Sequence, residues 1–329
     1  MSRFGLILAL TVILVCTGCE EADSEFDKLS SSVIEGLTVH NYPKVDGSTS
    51  TEPLNAIIAC KLFGIAYQWN YAENNTKYVE PNLKRNDAGK FLKLFKSSQT
   101  HQSFINLIDR KADLILVARK MSSDEKAYAD SKGVSLIETP IALDAFIFII
   151  HRENPIQSLT IEQVQDIYTG KITGWEEVGG SDWGNPGLYG DGDKIHPYIR
   201  NANSGSQELM ETLVMKDLDI AEFPENSFEL IHSMAGALDH VSRDVNSICY
   251  TVYYYKERMA TGTWNIKDLA INGIYPERKT IGNKSYPYTA EVYAVIRSDL
   301  DESSMAHKLY EWLQTEEGKQ VISESGYVP

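Results

Sequence analysis

The sequence predicts an α/β fold with a largely parallel sheet. Two observations carry that expectation: short runs rich in β-branched and aromatic residues alternate with segments of helical periodicity, and several of those segments open at a residue able to cap a helix. The length of 329 residues adds a third constraint, since at roughly 100 to 200 residues per unit the chain holds about two units, each able to bury its own core.

The elements follow in order. Met1-Ser2-Arg3 precedes an apolar run from Phe4 to Val15, and Thr17-Gly18 then precede Cys19. The run is too short to span a bilayer, and a basic start, a short apolar stretch and small residues make a secretory signal over 1–18. Cys19 resembles the lipid-modified cysteine of bacterial lipoproteins, which implies cleavage before it and a membrane anchor of two or three acyl chains. Cys16 stands where that pattern usually has leucine, and plain secretion with cleavage nearby is the alternative. The C-x-x-C formed by Cys16 and Cys19 is fortuitous inside a signal, and Cys60 and Cys249 are expected as free, packed thiols. Residues 19–37, acidic and serine-rich, read as a solvated tether.

Thr38 to Val45 reads as a strand, and Glu52 to Gln68 as a helix with Pro53 near its start, where a missing N–H costs little. Asp113 to Ala118 is a buried-strand candidate. The helix Ser122 to Lys132 follows it, with a serine to cap and acidic residues in its first turn. The apolar run Ala145 to Ile150 precedes a helix over Thr160 to Tyr168 that Thr160 can cap. Gly179 to Asp193 is loop-like in composition. Ser206 to Met215 reads as helix, Ile248 to Tyr255 as strand and Met305 to Ser323 as an amphipathic helix.

The charge excludes one class of partner. With 46 acidic against 31 basic side chains and a net charge of −15, the chain repels a phosphate backbone at long range, so no nucleic acid is expected. Any anion it binds must be held by local geometry. Three hydroxyl-rich stretches stand directly before helices: Asp46-Gly47-Ser48-Thr49-Ser50-Thr51, Ser97-Ser98-Gln99-Thr100-His101-Gln102-Ser103, and Arg200-Asn201-Ala202-Asn203-Ser204-Gly205-Ser206. The first turn of a helix leaves N–H groups unpaired, so hydroxyls placed there can wrap an oxyanion, and Arg200 adds a charged fork. For any one stretch capping alone is the plainer role.

Other chemistries lack a motif. The sequence has no G-x-S-x-G, H-E-x-x-H or G-x-x-x-x-G-K-[ST] string, and its seven histidines show no metal-ligand spacing. His232 and His240, eight apart on one helical segment, suit a surface or packing role. No cofactor, metal or catalytic residue is expected, although a hydrolase using Ser204 or Ser206 is not excluded by the residues alone. Tyr250, Tyr253, Tyr254 and Tyr255 suit a packed strand or hinge better than a stacking platform.

At this point a resemblance becomes specific. Val45-Asp46-Gly47-Ser48-Thr49-Ser50 comes first, then Leu159-Thr160-Ile161-Glu162-Gln163 and the string Asp166-Ile167-Tyr168-Thr169-Gly170-Lys171-Ile172-Thr173-Gly174-Trp175. Arg200 with Asn203-Ser204-Gly205-Ser206-Gln207 follows, and Glu317-Gly318-Lys319 and Gly326-Tyr327-Val328-Pro329 close the set. From about residue 40 to 329 the chain resembles the phosphate-binding lipoproteins of bacterial ABC transporters, within the periplasmic-binding-protein-like proteins of type 2. The resemblance implies a two-lobed α/β fold, each lobe a mixed, mostly parallel sheet flanked by helices, with the ligand cleft between lobes. We expect lobe 1 over 38–140 plus 261–329 and lobe 2 over 141–260.

Carried over, the family's anion contacts fall on Thr49 and Ser50, on Thr100, and on Arg200, Ser204, Gly205 and Ser206, with Ser48, Ser103 and Arg119 beside them as further candidates. Two family carboxylates have no match. The one that accepts the phosphate proton maps near Ala118 or Arg119, and the one that braces the arginine maps to Ala202. Asp46, Asp113 and Asp144 are candidates to replace the acceptor. The function implied is capture of inorganic phosphate outside the cytoplasm for an ABC transporter permease, by a lipid-anchored protein that is not an enzyme. Alternatives are another tetrahedral oxyanion such as sulfate, molybdate or arsenate, a sensory binding lipoprotein, or an extracellular phosphoester hydrolase.

Overall fold

The computed structural model describes residues 25–72, 76–180, 192–222, 230–231, 233–262 and 264–329. The signal over 1–18, Cys19, His232 and most of the Gly179 to Asp193 loop therefore lie outside the described residues. The strands, in chain order, are β1 Val45–Gly47, β2 Tyr67–Tyr71, β3 Lys77–Pro81, β4 Leu114–Val117, β5 Leu136–His151, β6 Ser158–Leu159 and β7 His196–Pro197. They continue as β8 Ile199–Arg200, β9 Leu230–Ile231, β10 Ser247–Val252, β11 Ile266–Asp268, β12 Ala270–Ile271 and β13 Thr289–Arg297. The α-helices are α1 Glu52–Leu62, α2 Arg85–Phe91, α3 Thr100–Ile108, α4 Ser123–Lys132, α5 Ile161–Tyr168, α6 Gly205–Leu209, α7 Met234–Arg243, α8 Arg278–Gly282, α9 Met305–Trp312 and α10 Glu316–Ser325.

One strand organises the molecule. β5 runs for 16 residues, and the main sheet is ordered β1-β4-β13-β5-β10-β7 around it, with β11 also on β5. Its first part, Leu136 to Ala145, pairs with β13, whereas Phe146 to Ile150 pairs with β10 and Ile149 to His151 with β11. The changeover at Ala145 and Phe146 divides the sheet into two halves that share a single strand. Ala145, Phe146, Ile147, Phe148, Ile149 and Ile150 are fully buried there. Such a continuous apolar run is what a strand covered on both faces requires.

The α/β class and the mixed sheet flanked by helices are as expected, but the proportion of parallel pairs is not. Among the described residues, parallel pairing occurs in the main sheet at its edges, β1 with β4 and β10 with β7. The central pairings of β4 with β13, and of β5 with β13, β10 and β11, are antiparallel. A parallel partner requires the chain to travel back the length of the strand before pairing. β5 instead carries the chain from one half into the other, and β10, β11 and β13 run back against it.

Several boundaries also move. β11 and β12 pair with β5 and β6, so residues 266–271 lie beside the second half rather than with the first. The tether shortens: Phe26, Ile34 and Leu37 are buried in the main core, with Lys90 Nζ 5.7 Å above the Phe26 ring. These three apolar side chains, with Leu29 packed against the same core, outweigh the acidic composition of that stretch. The strand expected over Thr38 to Val45 forms instead at Val45–Gly47, sharing only Val45 with that stretch, and the expected C-terminal helix divides into α9 and α10, capped by Ser304 and Thr315.

Local signals held where they were strongest. Ser122 and Thr160 each form a reciprocal capping box, with Glu125 and Gln163 respectively. α1 is apolar nearly all round and buried along almost its whole length, as a helix enclosed on every side must be. Cys60 and Cys249 are buried and free, and burial pushes both thiols up to about 12.

Candidate anion-binding cleft

A cavity of about 680 Å³ opens where the two halves face each other. Its first wall is built on β1. The chain leaves that strand at Gly47 and winds through a 3-10 turn, Thr49–Thr51, into α1. Gly47 is required by close approach: a Cβ there would meet the Leu116 carbonyl and Thr51 Oγ1 at 2.6 Å each. Thr51 Oγ1 donates to the carbonyls of Ser48 (3.0 Å) and Leu116 (2.6 Å), so it braces the turn. Ser48 Oγ lies 3.4 Å from Ser50 Oγ, and Ser48, Thr49 and Ser50 all line the cavity.

Thr100 joins this wall from the start of α3. The residue before it, Gln99, has φ +69° and ψ 164°, a conformation that suits glycine and costs a glutamine of order 1–3 kcal/mol. Ser103 holds the strained unit down, donating from Oγ to the Gln99 carbonyl (2.7 Å) and the Gly47 carbonyl (2.9 Å). Asp46 Oδ1 accepts from Ser98 N (2.9 Å) and Gly47 N (2.8 Å), and its Oδ2 from Asn106 Nδ2 (2.7 Å). A remote contact completes the bracing: Tyr327 Oη donates to the Ser50 carbonyl at 2.9 Å, and its ring stacks on Tyr254 with centroids 3.8 Å apart.

The second wall is built on β8 and α6. Arg200 is 6% exposed, with Nε donating to the Ile231 carbonyl (2.9 Å) and one terminal nitrogen 3.3 Å from Ser206 Oγ. Its backbone N–H is shared by Gln207 Oε1 and Tyr250 Oη, which also bond each other. Burial pulls the guanidinium below its usual value. Among the described residues no carboxylate pairs with it, although buried charges are ordinarily paired. Ser204 caps α6 through Gln207 N, and Asn203 before it takes φ +62°.

The walls already touch. A Cβ built on Gly205 would stand 2.6 Å from Thr100 Oγ1, closer than real Cβ contacts come, so any larger residue would push the Thr100 side chain aside. Ser48, Thr49, Ser50, Thr100, Arg200, Ser204, Gly205 and Ser206 thus line one cavity.

Two predicted residues stand elsewhere. Ser103 is fully buried behind the wall, its hydroxyl spent on backbone carbonyls. Arg119 does not line the cavity: it forms a bidentate pair with Glu125 (2.7 and 2.8 Å), which takes His101 Nδ1 as well. Glu125 is the capping residue of α4, and its Oε2 accepts both the Ser122 N–H and Arg119. None of the three carboxylates considered as proton acceptors reaches the cavity wall. Asp46 is tied into the loops, Asp113 accepts Lys44 N and faces Arg297, and Asp144 lies buried on β5, where burial lifts it to about 7.

The structure adds residues that sequence reasoning missed. Glu52, in the first turn of α1, lines the cavity; burial raises its carboxyl, and a hydrogen bond from Ser97 opposes that shift. Lys96 and Ser97 line it from the connection before α3, and Ser233, Met234 and Ala235 from the start of α7, which Ser233 caps. The signal for the last was present in a serine directly before an amphipathic helical run.

Residues 38–317 match the family model of the PBP superfamily domain, which is most of the chain. The chain belongs to the PBP superfamily. Among curated relatives within reach of this superfamily member, the phosphate-binding protein PstS of Borreliella burgdorferi is 24% identical over 307 residues, covering 91% of this chain and 95% of that protein. PstS of Pseudomonas aeruginosa PAO1 is 25% identical over 228 residues, covering 68% of this chain and 69% of that protein. Among solved structures, an ABC-type phosphate transport receptor from Vibrio cholerae superposes with a TM-score of 0.59 at 19% identity, over 87% of this chain and 99% of the other. At that identity the superposition establishes the shared PBP fold.

Proposed function

We infer that this chain is an extracytoplasmic solute-binding protein that captures inorganic phosphate and presents it to an ABC transporter permease. The observation that carries the reading is Arg200: a buried guanidinium without a carboxylate partner among the described residues, set opposite Ser48, Thr49, Ser50 and Thr100 across a cleft whose walls meet. An oxyanion in that space supplies the missing counter-charge and accepts the hydroxyl and helix-start donors around it. The names of the relatives favour phosphate and transport. The site is read as holding its ligand without turnover: Ser204 caps α6 and Ser206 bonds Arg200.

Phosphate at neutral pH carries a proton that sulfate lacks. Glu52 supplies the carboxylate that accepts this proton's hydrogen bond and repels a fully deprotonated anion, in place of the family carboxylate that maps near Ala118 or Arg119. The two halves act as lobes that close about the crossing at β5 and the segment after β10, and Cys19 carries the lipid anchor once the signal is removed. Calorimetric titration of the ligand-stripped mature chain tests the reading. Phosphate should bind one to one without displacement by sulfate, and Glu52→Gln should let sulfate compete. Absence of phosphate binding would overturn it.

A further inference from the structure

The cleft is far larger than an inorganic oxyanion needs. Its volume of about 680 Å³ lies in the range of roughly 300–1,000 Å³ typical of sites that bury organic molecules. The excess is not space awaiting closure, because the anion loops already meet at Gly205 and Thr100. It continues beneath the β2–β3 hairpin, which is joined to the far half by the antiparallel bridge between Thr76 and Ala260. The walls there differ in kind from the hydroxyl cradle. Ala56 from α1, Val79 from β3, Phe95 before the second loop, and Tyr255 and Met259 from the turn after β10 line it, each less than a tenth exposed.

α1 fixes the relation between the two compartments. Glu52 stands beside the hydroxyl loop and Ala56 four residues later, on the same face and about one helical turn deeper. A head group held by Arg200 and the hydroxyls therefore has an apolar chamber directly alongside. We propose that this chamber receives the organic substituent of a monosubstituted phosphate or phosphonate, so that the site takes such anions as well as the inorganic ion. Substitution replaces one oxygen contact and leaves the tetrahedral anionic head intact. The inference rests on the oxyanion reading of Arg200 and adds a substrate class to it.

Parallel titrations of the stripped chain with inorganic phosphate and with phenylphosphonate test it. Both should bind one to one, with phenylphosphonate within tenfold of phosphate or tighter. Ala56→Leu and Leu92→Trp, two cavity-lining positions on separate elements, should each weaken phenylphosphonate at least tenfold and change phosphate less than threefold. Retained phosphate binding reports that a variant has folded, and the second variant serves if the first does not. Phosphate binding with no phenylphosphonate binding would overturn the chamber and leave the oxyanion reading standing, as would phenylphosphonate affinity unmoved by either filling variant. Binding of neither anion would overturn both.

Discussion

The loops of the first wall present hydroxyls, with Glu52 and Lys96 beside them, and the second wall presents one buried cation. Ser48, Thr49, Ser50 and Thr100 are held by a network that draws in Asp46, Ser103 and Tyr327, whereas Arg200 is held by one backbone carbonyl, Ser206 and the Gln207–Tyr250 pair around its own backbone. The hydroxyl wall is braced from behind, through bonds that do not depend on a ligand. The cationic wall carries an uncompensated desolvation cost until an anion arrives. Affinity therefore depends on the second wall standing against the first, as it does at Gly205 and Thr100.

The sharpest way to break this contrast is to remove the charge. Arg200→Ala should lower phosphate affinity roughly hundredfold, about 3 kcal/mol for a buried charge-assisted contact, in calorimetric titration. The melting temperature of the ligand-free protein should not fall correspondingly, since among the described residues the guanidinium has no carboxylate to lose. Equal affinity in the variant would place the charge elsewhere. Gly205→Ala tests whether the walls must touch. The added methyl meets Thr100, so affinity should drop about tenfold with the unliganded stability nearly unchanged, because the contact lies at the cleft and outside the apolar core.

Tyr327→Phe isolates the bracing of the hydroxyl wall. Loss of its bond to the Ser50 carbonyl should cost about 1 kcal/mol of stability and a several-fold loss of phosphate affinity. Affinity unaltered in a folded variant would show that the first turn of α1 holds itself. The smallest effect is expected at Gln99. Gln99→Gly relieves the strained backbone and should raise stability by about 1 kcal/mol after the entropy cost of glycine, while phosphate affinity changes less than twofold. A lower melting temperature would mean that the glutamine side chain contributes more than its backbone costs.

Much of this architecture was legible in the residues, and the parts that were not share a cause. Ser122 with Glu125 and Thr160 with Gln163 announce helix starts because capping is local, and the three hydroxyl stretches could be read because each precedes its own helix. Arg119 was misplaced because its partner is a capping glutamate that comes within reach only once α4 has turned back over β4. Glu52 was overlooked because an acid in a first helical turn is ordinary, and only the cavity distinguishes it. The antiparallel centre of the sheet follows from β10 and β13 returning to one long strand, a choice made over distances that periodicity does not sense.

The contact from Tyr327 to Ser50 spans 277 residues of chain. During synthesis, when the hydroxyl loop, α1 and the whole second wall have already been made, that brace is still missing. A growing or translocating chain thus has every donor of its ligand site before the loop that carries them is secured. Anion affinity is consequently among the last properties the protein acquires, and a free anion cannot stabilise its early intermediates as fully as it stabilises the finished molecule.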